Sequence, residues 1–255
     1  MRVTKPLSVA VVVMVLVGCS DGHRPSAVTI DSSAPATLPL ARPVATSSTS
    51  SSVATSTTVG VDVVVPEGAT MLSADGPWRL VPSAPGIESP GLVYELMPEL
   101  WVFLPSQSDF AHGVVWTFHE RDRVVIEAWL RAMVVYFRGV TADPMQFEGA
   151  EWDSWFPVRD MPIIDVLEER RSKGYHLDLD LGLVLRPEVL GEQRTDTTAI
   201  VFDCELDGSI LIDHTGAMVP PSRKGVGDDG VGYRMEVIDG SWRVTQIGSQ
   251  PDACM

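Results

Sequence analysis

Lysine is almost missing from this chain, standing only at Lys5, Lys173 and Lys224. Positive charge is short overall, with 19 Lys and Arg against 34 Asp and Glu, for a formal net charge of -15. Such a surface repels phosphate backbones and anionic lipid headgroups, which excludes a nucleic-acid function. Three cysteines in 255 residues are too few for a disulfide framework or a zinc cluster. Beyond residue 60 there is no Gly-x-Ser-x-Gly nucleophile elbow, and the chain has no His-Glu-x-x-His metal helix and no phosphate-binding glycine loop. The main apolar run, Leu7 to Val17, falls short of the roughly 20 apolar residues that span a bilayer.

What surrounds that run is informative. Arg2 and Lys5 precede it, and small residues Gly18 and Cys19 follow, the charged, apolar, small order of a secretory signal. Leu16-Val17-Gly18-Cys19 resembles the lipobox of bacterial lipoproteins. The resemblance implies cleavage after Gly18, a diacylglyceryl group on the sulfur of Cys19, and a lipid bilayer as partner on the extracytoplasmic face of the cell membrane. Two or more acyl chains suffice for stable anchoring, at about 0.8 kcal/mol per buried methylene. Removing residues 1–18 takes away Arg2 and Lys5 and leaves a formal charge of -17.

Residues 19–60 form the lipidated cysteine and a Ser-, Thr-, Ala- and Pro-rich tether, culminating in "ATSSTSSSVATSTTVG". A flexible chain of this length reaches about 35 Å and holds a domain off the membrane. The stretch from Val61 to Met255 is long enough to bury a full core. Its first part, 61–118, carries Pro77, Pro82, Pro85, Pro90, Pro98 and Pro105, which predicts an extended N-terminal arm, or a hairpin, packed on the main body by Trp78, Tyr94, Trp101 and Phe103.

From 119 to 255 the signals are stronger. "FHERDRVVIEAWLRAMVVYFRG" places Val125, Ala128, Trp129, Ala132, Met133, Tyr136 and Phe137 at helical spacing opposite a charged stripe, ending at Gly139. A second helix is expected over 161–173, with Asp160 as N-cap and Pro162 in the first turn. "YHLDLDLGLVLRP" alternates strictly and predicts one strand from Tyr175 to Arg186. Asp207-Gly208 and Asp239-Gly240 each predict a hairpin turn. The expected fold class is therefore α+β, helices covering one apolar face of an antiparallel β-meander.

Helices first, then a curved meander ending in "VIDGSWRVTQI" with Gly240 and Trp242, resembles the cone-shaped fold of the nuclear transport factor 2-like, or SnoaL-like, superfamily over about Glu120 to Ile247. Some members of that superfamily hold isomerase, cyclase or dehydratase chemistry in the cone, which makes Tyr136, Asp203, Asp213 and His214 the catalytic candidates. The preferred reading is non-catalytic: a binding or envelope-accessory domain that takes a small apolar ligand, a wall component or a protein partner. No cofactor and no metal is expected. His176, Asp178 and Asp180 lie nearly 7 Å apart along a strand face, wide for joint ligation. "GVGDDGVG" lacks the ligand spacing of an EF-hand and reads as a hairpin loop. Trp152 and Trp155 fit core packing better than a carbohydrate platform. Cys204 and Cys254 remain as an even pair outside the cytoplasm and suggest a disulfide, although a sequential meander sends the strand near Gly248 to the opposite end from Cys204.

Overall fold

A computed structural model describes residues 63–106, 118–222, 224–249 and 254. The signal segment, Cys19 and the tether lie outside the described residues. The chain divides into Met1–Ser56 and Thr57–Met255, and all that follows concerns the second unit.

The longest helix, α1 (Arg123–Val140), is entered through a short 3-10 turn at Glu120–Asp122. It forms because the apolar residues recur every three or four positions; Val125, Ile126, Trp129, Leu130, Met133 and Phe137 are buried as a result. A short helix not expected from the sequence, α2 (Ala150–Trp155), folds Trp152 onto α1. The next, α3 (Pro162–Ser172), starts with Pro162, where the ring's fixed φ suits the first turn. Its N-cap is Met161 rather than Asp160, and no side chain caps it.

Among the described residues ten strands follow or precede these helices. The stretch expected as an arm supplies β1 (Arg79–Val81), β2 (Gly91–Met97) and β3 (Leu100–Pro105), which are part of the main sheet. The prolines stand at turns and strand ends, leaving Gly91–Met97 and Leu100–Leu104 free of them. Both strands are buried on two sides: Leu92, Tyr94, Leu100, Val102 and Leu104 face the main core, whereas Val93 and Phe103 pack with Val81, Ala84 and Val184 on the other face. Central strands buried on two sides read as near-continuous apolar runs.

The alternating run from Tyr175 is two strands rather than one. The first piece, β4 (Tyr175–Asp178), and the second, β5 (Leu183–Leu185), are separated by a turn in which Gly182 has φ 83 and donates its N–H to the Leu179 carbonyl at 2.7 Å. A Cβ at Gly182 would lie 2.6 Å from the Trp101 ring, so only glycine fits. After a break at Arg186 comes β6 (Pro187–Val189), and β7 (Thr198–Asp207) pairs with both β5 and β6 in one continuous register.

Asp207-Gly208 does not make a hairpin. The Asp207 carboxylate accepts the Ser209 N–H at 2.7 Å, and the chain turns away into β8 (Ile210–Asp213), which pairs with β4 in a separate two-stranded sheet. The last strands, β9 (Gly227–Ile238) and β10 (Ser241–Ser249), form the expected hairpin. Asp239 and Gly240 both take positive φ, at 51 and 76, as a two-residue turn demands. "GVGDDGVG" is mostly the start of β9 rather than a loop.

The main sheet runs β1-β2-β3-β5-β7-β9-β10, with β6 also on β7 and a parallel pair at β3-β5. It is a mixed sheet rather than a sequential antiparallel meander, and α1 lies on it against β10, β2, β6 and β7. Because β8 leaves the sheet, β7 and β9 are neighbours, and β10 runs in the same direction as β7. Cys204 is registered with Gly230, and Ser249 with the adjacent Val231. The end of β10 thus arrives beside Cys204, and the Cys204–Cys254 disulfide closes with Cα atoms 5.6 Å apart.

Candidate functional site

Two places in the domain concentrate functional groups. The first is a row on β7. Asp203, Glu205 and Asp207 share the face with Ala199 and Val201, both in the main core, because side chains two apart on a strand point the same way. Asp203 is fully buried. Its Oδ1 accepts the backbone N–H of Arg186 at 2.6 Å, a donor at the break between β5 and β6. The Arg186 side chain is buried too, donating to the Cys204 carbonyl and pairing with Asp228. Oδ2 of Asp203 has no hydrogen-bond partner.

Burial in this apolar face disfavours charge. It pushes the Asp203 carboxyl up to about 7, against the lowering pull of the Arg186 N–H and guanidinium. Glu205 is raised well above the carboxylate range, first by burial and then by Asp203, Asp207 and Asp229, the last directly opposite it on β9. Burial also raises Asp207. Tyr136, on α1, is pushed up to about 12 and Tyr233, on β9, well above its usual value, in both cases chiefly by burial. Near pH 7 the tyrosines are neutral donors beside carboxyls that hold protons readily.

The structure thus brings Tyr136 and Asp203 into one electrostatic neighbourhood and adds Glu205, Asp207 and Tyr233. Sequence reasoning missed the last three as a group, although the i, i+2 spacing of the acids in "FDCELD" carried the signal. Asp213 and His214 are elsewhere, at the exposed end of β8. The Asp213 carboxylate accepts both the N–H and the hydroxyl of Thr215 and the N–H of Ala217, which closes a turn and lowers its pKa. Trp152 is a core residue, with its ring 4.5 Å from that of Phe156, and Trp155 packs under the Arg243 guanidinium.

No substrate path to Asp203 is evident among the described residues. Between α1 and the sheet the space is filled by Trp129, Leu130 and Met133, and the Trp129 ring meets Tyr233 edge-on with centroids 5.3 Å apart. Asp203 is held as the acceptor of the Arg186 N–H, where β5 breaks from β6.

The second place is an open groove of about 570 Å³. One wall is the consecutive run 176–180, the other the β2-β3 turn Met97–Glu99, with Thr141 and Ile212 completing it. Glu99 holds φ 62 in that turn. Glu99, Asp178 and Asp180 make the groove acidic, and Lys224 reaches Asp180 at 3.5 Å. No His, Cys, Asp or Glu group among the described residues is arranged to hold a metal ion. No helix of the described residues is long and apolar enough to cross a membrane.

The domain is α+β in class. No family model and no curated protein matches the chain. Among solved structures it is similar to the crystal structure of the intermembrane-space region of the chloroplast protein ARC6, at 13% identity and a TM-score of 0.35, covering 53% of this chain and 100% of that one.

Proposed function

We propose that the chain is a membrane-anchored extracytoplasmic lipoprotein, lipidated at Cys19, whose domain beyond the tether binds a partner rather than catalysing a reaction. In this reading the helix-covered sheet is a filled relative of the nuclear transport factor 2-like cone. The observation that carries the non-catalytic part is the complete burial of Asp203 in a core where the Trp129 ring packs edge-on against Tyr233, set against an accessible groove on a different part of the domain. A disulfide between Cys204 and Cys254 agrees with an oxidising compartment. The test of the anchor is Cys19→Ala in the native host with radiolabelled palmitate. The variant is expected as an unprocessed, unlabelled precursor; a label that persists overturns the reading.

The alternative is an exported isomerase or cyclase of the SnoaL-like kind. What favours it is the raised pKa of Asp203 and Glu205 beside Tyr136 and Tyr233. Small apolar ketones and lactones that shift the fluorescence of the buried tryptophans, with a response abolished by Asp203→Asn, would favour this alternative.

A further inference from the structure

The acidic groove follows the edge of a strand. Side chains on a strand alternate between its faces, so a wall that includes three consecutive residues of β4, His176 to Asp178, takes in the strand's edge, and Leu179 and Asp180 continue it in the following turn. The pairing of β4 with β8 says which backbone groups that edge presents. Leu177 is opposite Leu211. The Leu211 N–H donates to Ser222 Oγ and its carbonyl accepts the Val219 N–H, both at 2.8 Å, so both groups turn away from β4. Leu177 and Leu211 therefore form a non-hydrogen-bonded pair, and the N–H and C=O of Leu177 point outward, into the groove. Among the described residues β4 pairs with no strand but β8, and no turn or loop hydrogen bond reaches either group.

An open strand edge is a template for another extended chain. Proteins blunt such edges with lysine, proline or a covering element, and β4 has neither lysine nor proline along Tyr175–Asp178. What flanks the edge selects the occupant by charge. Glu99, Asp178 and Asp180 line the groove, beside apolar surface from Met97, Leu177 and Ile212.

We propose that the outer edge of β4 receives an extended basic peptide segment of another protein as an added strand. Its main chain bonds to Leu177, and its cationic side chains meet Glu99, Asp178 and Asp180, taking the place of Lys224 on the last. Main-chain bonds supply affinity in this mode, and alternate side chains supply selectivity. The inference deepens the partner-binding reading above and rests on it. Its test leaves the lipid anchor untouched, so the two fail separately.

The experiment is an anisotropy titration of the full-length, detergent-extracted protein with a fluorescein-labelled octapeptide of alternating lysine and valine. Two further peptides carry N-methyl groups on all lysines or on all valines, which deletes the donors of one edge while keeping charge. Saturable binding is expected, weakened at least about tenfold, or about 1.4 kcal/mol, by one N-methyl pattern and much less by the other. Leu177→Pro removes the protein's own donor and is expected to cause a similar loss; if that variant does not fold, the N-methyl pair still decides. Equal affinity for all three peptides would reduce the groove to a charge effect and overturn the proposal, as would absence of saturable binding. Binding that emerges only after deletion of residues 20–60 would place the chain's own tether on the edge, and would also overturn it.

Discussion

Replacing Asp203 by asparagine separates its structural from its ionic role. The carboxyl stands at about 7 in the folded domain against 3.8 in an exposed chain. Below about pH 4 both states are protonated, and the group leaves stability unchanged. As pH rises from there to 7 the unfolded chain releases its proton while the folded one keeps it, so stability falls. Between pH 5 and pH 7 that fall is about 2 kcal/mol, because the slope of about 1.4 kcal/mol per pH unit flattens as the folded carboxyl itself begins to ionise near pH 7. Asparagine keeps an oxygen where Oδ1 accepts the Arg186 N–H and cannot ionise. In urea titrations, Asp203→Asn is expected to gain about 3 kcal/mol on wild type between pH 5 and pH 8. Asp203→Ala removes the same titration but strands the Arg186 N–H, which adds a cost of about 1–3 kcal/mol at both pH values. A difference between wild type and Asp203→Asn that does not change with pH would refute a raised carboxyl. Equal stability of the Asn and Ala variants would refute the role of Asp203 as the acceptor of the Arg186 N–H.

Other consequences are as direct. Reduction, or paired replacement of Cys204 and Cys254 by alanine, opens a 50-residue loop and is expected to cost about 4 kcal/mol in chemical denaturation, within the chain-entropy picture. Gly182→Ala combines a positive φ with a Cβ 2.6 Å from Trp101, and is expected to lower the urea midpoint by an amount worth about 2–3 kcal/mol. Gly216→Ala has a similar φ of 81 but open space around it, and about 1 kcal/mol is expected. Equal losses at the two glycines would show that the Trp101 contact is unimportant.

Local signals in the sequence survived into the structure, and signals that depend on distant partners did not. The 3.6-residue period of α1 and the Asp239-Gly240 turn are written within a few residues each, and both elements stand where the sequence puts them. The run from Tyr175 to Arg186 misled for a physical reason. Leu177, Leu179, Leu183 and Leu185 all pack on the one main core, so alternation continues across the break at Gly182. Periodicity reports which side is buried; it does not report which strand is the neighbour. The same blindness made Asp207-Gly208 read as a hairpin and the proline-rich 61–118 as an arm. Of the site, Asp203 was legible as an acid within an apolar strand, but with apolar residues on both faces the alternation did not say which face is covered. The groove was not legible, because it is assembled from the β2-β3 turn and the β4 edge, which are some 75 residues apart in sequence.

The central claim, a lipid-anchored domain outside the cytoplasm, is tested most directly by the intact mass of the protein extracted from membranes of its native host. A chain beginning at Cys19, heavier by a diacylglyceryl group and gaining two hydrogens on thiol reduction, is the expected result. An unmodified chain in the soluble fraction, or a membrane-bound one still carrying residues 1–18, would contradict it.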